Sequence, residues 1–96
     1  MRIQLKSKLW VWPGDAAWHF LTINKEEASE IKQNTAGIKR GFGSVRVIAM
    51  IGDVEWNTSI FPTKEGEFLL PVKKEVREKV GIGNGDLVNF VLEIQM

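Results

Sequence analysis

Apolar residues alternate with polar ones near both ends of the chain, and this period of two predicts β-strands. In residues 2–12 the apolar residues Ile3, Leu5, Leu9 and Val11 fall on one side of the alternation, and residues 87–94 show a similar pattern. Alternation of this kind places one side of a strand against a core and leaves the other side exposed. The chain is therefore expected to begin and end in strands of a sheet.

Four further apolar runs between these ends also predict strands. Turn signals rich in glycine, proline and aspartate separate several of them, including Pro13-Gly14-Asp15 and the two-residue hairpin turn Gly52-Asp53. The four predicted strands are Trp18–Ile23, Val45–Ile51, Val54–Phe61 and Glu67–Leu70, and Pro71 is expected to end the last of them.

Two short helices are predicted, one in each half of the chain. Asn24 is expected to cap the first helix, with Glu27 completing a capping box, and this helix fades near Thr35. The second helix is predicted over Lys73–Val80, since Val72, Val76 and Val80 recur at helical spacing before Gly81.

The resulting order is ββαβββαβ, a mainly β domain of six strands and two short helices over residues 1–96. The two halves are alike: Trp12-Pro13 corresponds to Phe61-Pro62, and Gly37-Ile38 corresponds to Gly81-Ile82. This weak repeat predicts a barrel with an internal pseudo-twofold axis.

Several segments resemble a small uncharacterised prokaryotic family. They are Trp18-His19-Phe20-Leu21, Gly41–Val45, Thr58–Pro62, and Leu70–Lys73 together with Arg77. This resemblance implies a double-split β-barrel, in some members fused to a domain of the YdeI/OmpD-associated type, and it implies no activity.

A second, more distant resemblance involves Arg77–Ile82 followed by Gly85-Asp86. This stretch is similar to the helix-turn-strand of AbrB/MazE-type swapped-hairpin barrels, which are dimeric DNA-binding regulators. Such barrels assemble from two chains of roughly half this length, so one chain could supply both halves here.

Composition excludes several classes of function. Thirteen basic and twelve acidic residues give a net charge of +1, which does not indicate a strongly basic nucleic-acid binder. The chain has no cysteine, so it has no disulfide framework and no thiolate chemistry. No apolar run approaches the length of a membrane span, and a cytoplasmic location is expected. Either a monomer or a homodimer fits the sequence.

The sequence offers little support for catalysis. His19 is the sole histidine and lacks a metal-binding context, and Ser59 lacks a nucleophile-elbow sequence that would complete a triad with Asp53. We expect no enzymatic activity, no metal and no cofactor.

Two binding surfaces are predicted instead, and they define the two functional hypotheses. The first hypothesis is a non-enzymatic binding or interaction module of unknown ligand, with aromatic walls and a few polar groups that suit a small molecule. The alternative is nucleic-acid binding, because basic residues among aromatic ones can pair with phosphates and stack on bases. The small-molecule candidates are Trp18, Phe42, Trp56, Phe61, Thr58, Ser59 and Lys73, and the nucleic-acid candidates are Trp10, Trp12, Lys39, Arg40, Arg46, Lys73, Lys74 and Arg77.

Overall fold

A computed structural model describes residues 1–14, 17–37 and 43–95. Within these ranges the chain forms seven strands and two helices: β1 Arg2–Lys8, β2 Trp10–Val11, β3 His19–Ile23, α1 Lys25–Asn34, β4 Val45–Ile51, β5 Val54–Pro62, β6 Phe68–Pro71, α2 Lys74–Val80 and β7 Leu87–Ile94. The predicted mainly β class with two helices is confirmed.

All strands join one antiparallel sheet in the order β1-β7-β4-β5-β6-β3-β2. Its two outermost strands, β1 and β2, follow one another in the chain with only Leu9 between them. The sheet therefore curls round until its ends meet, and the fold is a nearly closed barrel.

The prediction of six strands is wrong, because the strand expected over residues 2–12 is divided at Leu9. The Leu9 N–H donates to the Asp86 carbonyl, and its own carbonyl accepts from the Gly85 N–H. The backbone of Leu9 is thus bonded to the turn before β7, while its side chain is fully buried. Before this point the chain pairs with β7, and after it with β3.

The core consists of the inward-facing alternate residues of the strands, completed by the helices. In β4 the buried positions are Val45, Val47, Ala49 and Ile51, as the period of two predicts. Helix α1 contributes Ala28 and Ile31, and α2 contributes Val76. No helix in the described ranges has the length and apolar character needed to cross a membrane.

The helix ends agree with the signals in the sequence. The side chain of Asn24 accepts a hydrogen bond from the Glu27 N–H at 3.1 Å, as expected of an N-cap. Gly81 ends α2 in the left-handed conformation, with φ of 78°. Lys73, predicted as the first residue of the second helix, occupies its N-cap position and makes no side-chain capping bond.

Pro71 was expected to end the strand before it, but it is the last residue of β6 and pairs with Phe20. The Val72 N–H donates to the His19 carbonyl, so in the alternating antiparallel pattern the nitrogen of Pro71 faces away from β3. The missing N–H of proline therefore removes no ladder bond, which is the condition under which a strand tolerates it.

The strand pairing has the symmetry of two equivalent halves. The strand formed by β1 and β2 pairs first with β7 and then with β3, and β5 pairs first with β4 and then with β6. The two remaining ladders, β3–β6 and β4–β7, each join equivalent strands of the two halves. The comparison of the two halves in sequence matched Pro62 with Pro13. In the strand pairing, however, Pro62 faces Phe68 as Trp10 faces Phe20, so Pro62 is equivalent to Trp10.

A candidate ligand-binding cleft

The barrel wall opens where β5 and β6 separate. The two strands pair only at Phe61–Leu69 and Pro62–Phe68, and earlier residues of β5 pair with β4 alone. The Thr63 N–H donates to the Glu67 carbonyl on the β6 side, so the alternation directs the backbone groups of Asn57 and Ser59 to the same side. Those groups face the opening.

The opening forms a cleft of about 310 Å³, which we call the cationic cleft. Its walls come from the approach to β3, the middle of β5, the end of β6 and the start of α2. Its lining residues are Ala17, Trp18, His19, Trp56, Asn57, Thr58, Pro71, Val72, Lys73 and Arg77.

Arg77 is the most firmly held charged group of the cleft. Its Nε donates to the Val72 carbonyl at 3.1 Å, and one terminal nitrogen lies 3.3 Å from Nε2 of His19. A guanidinium has five N–H donors. Two of them are used here, and three have no partner among residues 1–14, 17–37 and 43–95. The side chain is fixed in direction yet retains donors for a ligand.

His19 acts as a support for Arg77. Its Nδ1 lies 2.7 Å from the carbonyl oxygen of Ala17. Because a carbonyl oxygen only accepts and a guanidinium only donates, Nδ1 carries the proton and Nε2 accepts from Arg77. Both ring nitrogens are thereby engaged, and the imidazole links the start of β3 to α2.

Ala17 has an uncommon backbone conformation at the edge of the cleft. Its φ of 50° lies in the left-handed region, and it is the single non-glycine residue with positive φ within the described ranges. This conformation costs a residue with a β-carbon roughly 1–2 kcal/mol. Strain of this kind tends to persist where the surrounding structure holds a functional group in place. Here the carbonyl of Ala17 meets His19.

The cleft has a positive charge that no acidic side chain among its described lining residues offsets. Lys73 and Arg77 both line it, and none of its lining residues is aspartate or glutamate. Neither cation forms an ion pair with the part of the chain that the structure describes. The cleft is consequently suited to an anion.

Tryptophan supplies the apolar walls. Trp56 is almost completely buried at 8% exposure, whereas Trp18 is 56% exposed. The Trp18 indole lies nearly parallel to the Phe20 ring, with 12° between their planes and 6.2 Å between their centres. Phe20 thus supports one side of Trp18, and the exposed part of Trp18 is available for contact with another molecule.

Trp18 also belongs to a group of aromatic side chains on the outer face of β2 and β3, which we call the aromatic cluster. Phe20 contacts Trp10 at 5.3 Å and Trp12 at 6.2 Å between ring centres. Trp10 is anchored by a hydrogen bond from its Nε1 to the Thr22 hydroxyl at 2.9 Å. The cluster, Trp10, Trp12, Trp18 and Phe20, is continuous with the cationic cleft through Trp18.

Five of the residues considered for small-molecule or nucleic-acid binding line the cationic cleft, and four other described candidates lie outside it and outside the aromatic cluster. The cleft contains Trp18, Trp56, Thr58, Lys73 and Arg77. Ser59 pairs with Arg46 on the β4–β5 ladder, Lys74 is exposed on α2, and Phe61 is 45% exposed on β5. None of these four lines the cleft. The candidates Lys39, Arg40 and Phe42 lie outside the described residues.

The sequence did not identify His19 as a support for an arginine, nor Asn57 as a source of backbone groups. Histidine and arginine are far apart in the chain, and only the β3–β6 ladder brings Val72 and α2 beside His19. In the sequence, the separation of β5 from β6 is indicated by Pro71 alone, because a proline within a strand marks a position where a ladder hydrogen bond is absent.

A second cleft lies at the equivalent place in the other half of the barrel. It occupies about 370 Å³ where β1 and β3 lie side by side without pairing. Asn24, the N-cap of α1, occupies the position that Lys73 has in the cationic cleft. The second cleft has no aromatic wall, and its charged residues are Lys6 and Glu27. The Ser7 hydroxyl is buried there and has no hydrogen-bond partner among the residues that the structure describes.

Comparison with known proteins identifies the family. The model of a family described as a domain of unknown function (DUF1905) matches residues 6–92, so the chain belongs to this family. No curated protein matches the chain. The expected membership of an uncharacterised family is confirmed, whereas the double-split form of the barrel and the relation to AbrB/MazE-type barrels stay predictions.

Proposed function

We propose that this DUF1905 domain is a non-catalytic binding module whose ligand occupies the cationic cleft. The observation that carries the proposal is Arg77, a cation held in place by Val72 and His19 with three donors that no described residue engages. A partly buried charge without a counter-charge is costly, and a ligand that supplies one gains the full strength of a charge-assisted hydrogen bond.

The state of His19 supports binding in preference to catalysis. Both of its nitrogens are engaged, so neither is poised to take a proton from a nucleophile. Ser59, the serine considered for a triad, lies on the β4–β5 ladder and does not line the cleft.

The test is a ligand screen by ¹H–¹⁵N correlation spectra, which resolve the indole N–H signal of each of the four tryptophans. Ligands of the cleft are expected to move the signals of Trp18 and Trp56. The variant Arg77→Gln should lose these responses, and Arg46→Gln, which removes an exposed arginine of β4, should keep them. Absence of any ligand that perturbs Trp18 or Trp56 would refute the proposal.

Nucleic-acid binding is the second candidate, and the exposure of the aromatic cluster is the observation in its favour. Trp12 is 52% and Trp18 56% exposed, and exposed indoles can stack on unpaired bases. The pseudo-twofold strand pairing and the two openings in the wall are compatible with a double-split barrel related to AbrB/MazE-type proteins.

This candidate is tested by tryptophan fluorescence titration with single- and double-stranded oligonucleotides at low and moderate salt. Binding should quench the fluorescence and weaken steeply with salt, since phosphate contacts release counterions. The variant Trp12→Ala should reduce the affinity while leaving ligand binding in the cationic cleft unchanged. Fluorescence that does not respond to either oligonucleotide would remove the candidate.

A further inference from the structure

The geometry of the cationic cleft points to a small aromatic carboxylate as its ligand, and we propose this class of compound. The inference rests on the proposed binding function and specifies what is bound there. Three features define the ligand: the charge of the cleft, the walls beside that charge, and the volume between them.

The charge of the cleft requires an anionic group of small size. Arg77 is fixed by Val72 and His19, so its remaining donors present a planar fork at one place in the wall. A carboxylate has two oxygens whose spacing matches two parallel N–H groups of a guanidinium. Lys73 lies in the same wall and supplies a second cation, whose flexible stem lets it follow the carboxylate.

The walls require a flat apolar group. Trp18 rests on Phe20 and presents an exposed indole, and Trp56 is a buried wall on β5. Aromatic pairs prefer offset-stacked or edge-to-face contact and gain binding energy beyond that from the burial of area. An aliphatic anion would satisfy Arg77 but would leave this gain unused.

The volume limits the ligand to one ring system. A cleft of about 310 Å³ is at the lower end of the range for small-molecule sites, which begins near 300 Å³. The backbone groups of Asn57 and Ser59 that face the opening can hydrogen-bond a ring nitrogen or hydroxyl. The ligand therefore has one carboxylate, one single or fused ring, and few other polar groups.

The experiment is a titration of the full chain, followed through the four indole N–H signals, with four probes. Indole-3-acetate carries both ring and carboxylate, indole-3-acetamide replaces the carboxylate by a neutral amide, acetate lacks the ring, and phenyl phosphate replaces the carboxylate by a phosphate. We expect indole-3-acetate to bind at least tenfold more tightly than the amide or acetate. Trp18 and Trp56 should respond, while Trp10, whose N–H is bonded to Thr22, serves as the internal reference.

Variants assign the effect to Arg77. The substitution Arg77→Gln should weaken indole-3-acetate by at least tenfold and by a larger factor than it weakens the amide, and Arg77→Lys should recover part of the loss. Arg46→Gln is the matched control and should bind as the natural chain does. If Arg77→Gln fails to fold, the comparison of acid and amide on the natural chain still decides whether the carboxylate is required.

The outcomes separate this inference from the proposed function. Equal binding of acid and amide, or tighter binding of phenyl phosphate or acetate, overturns the aromatic carboxylate while the cleft is still a binding site. If indole-3-acetate leaves the Trp18 and Trp56 signals unchanged but other compounds move them, the aromatic carboxylate is likewise overturned and the cleft is still a binding site. If no compound moves either signal, the inference and the proposed function both fail.

Discussion

Lys73 has two roles that favour different residue types at the same position. It is the N-cap of α2, where a short side chain with an oxygen atom would satisfy a free N–H group, and it makes no such bond. It also lines the cationic cleft, where its charge suits an anion. A residue with a capping oxygen would thus stabilise the start of α2 better than lysine does, but it would not supply the positive charge of the cleft.

This conflict predicts opposite effects on stability and on binding. Lys73→Asp should raise the free energy of unfolding by about 0.5–1 kcal/mol, because aspartate can cap the first turn and suits the positive end of the helix dipole. The same change should weaken the binding of anions to the cleft. Urea unfolding and ligand titration measure the two effects.

The neighbouring residue gives the control for this prediction. Lys74→Asp places the same charge in the first turn but outside the N-cap position, so it should gain the dipole contribution without the capping bond. A Lys73→Asp variant that is no more stable than Lys74→Asp would contradict the assignment of Lys73 as a position that lacks its cap.

His19 is predicted to act only through Arg77. His19→Leu removes the acceptor at Nε2 and should lower affinity for an anionic ligand about fivefold, the equivalent of losing one hydrogen bond of about 1 kcal/mol. His19→Gln retains an acceptor oxygen and should lose less. Dissociation constants measured by titration give the comparison, and equal losses in the two variants would remove the positioning role.

The individual site residues were partly foreseeable because their side chains have obvious uses. Tryptophan, lysine and arginine suggest stacking and anion binding whatever their surroundings, so Trp18, Trp56, Lys73 and Arg77 were candidates from the sequence. Ser59 and Phe61 were equally plausible by type. They lie on the same strand as Trp56, and only the register and the pairing of β5 decide which of its residues face the cleft.

At the scale of elements, the end of α2 depends on one glycine. Gly81 has φ of 78°, and a β-carbon added at this position would meet no atom within 4 Å, so backbone conformation alone restricts the residue type. Gly81→Ala should lower the free energy of unfolding by about 1 kcal/mol, since alanine in the left-handed region is strained. Thermal or urea unfolding measures the loss.

Gly83 is the matched position for this test. It also has open space around a β-carbon, but its φ is not in the positive range. Gly83→Ala should leave stability unchanged or raise it slightly, by reducing the freedom of the unfolded chain. Equal destabilisation by the two alanines would mean that space, and not backbone conformation, limits both positions.

The elements themselves were largely predictable, and the errors at Leu9 and Pro71 arise from contacts between parts of the chain that are distant in sequence. Periodicity and capping signals identified both helices and most strands, since these depend on residues that are near in sequence. The break at Leu9 was not visible, because it arises from bonds to Gly85 and Asp86 at the other end of the chain. Pro71 was misjudged since its tolerance depends on which side of β6 lacks a partner.

At the scale of the whole molecule, the long ladders all join one half of the chain to the other. β1 pairs with β7, β4 with β5 and with β7, and β3 with β6. Within each half the only pairings in the described chain are the short contacts of β2 with β3 and of β5 with β6. Neither half has an extended sheet of its own.

Fragments 1–52 and 53–96 should therefore be unfolded separately and should fold together when mixed in equal amounts. The cut lies in the exposed Gly52-Asp53 turn, where it removes no ladder pair. Circular dichroism and correlation spectra of each fragment and of the mixture provide the measurement. A fragment that shows dispersed native signals without its partner would contradict this dependence.

The presence of two clefts in one chain has a consequence for how binding sites of this kind can change. In a barrel made of two identical short chains, every substitution appears twice, and a residue that improves one opening alters the other in the same way. Here the equivalent positions are encoded separately, as Asn24 and Lys73 illustrate. One cleft can therefore acquire charge and aromatic walls while the helix beside the other cleft keeps its N-cap. A substitution that adapts one cleft to a ligand leaves the residues of the other cleft unchanged.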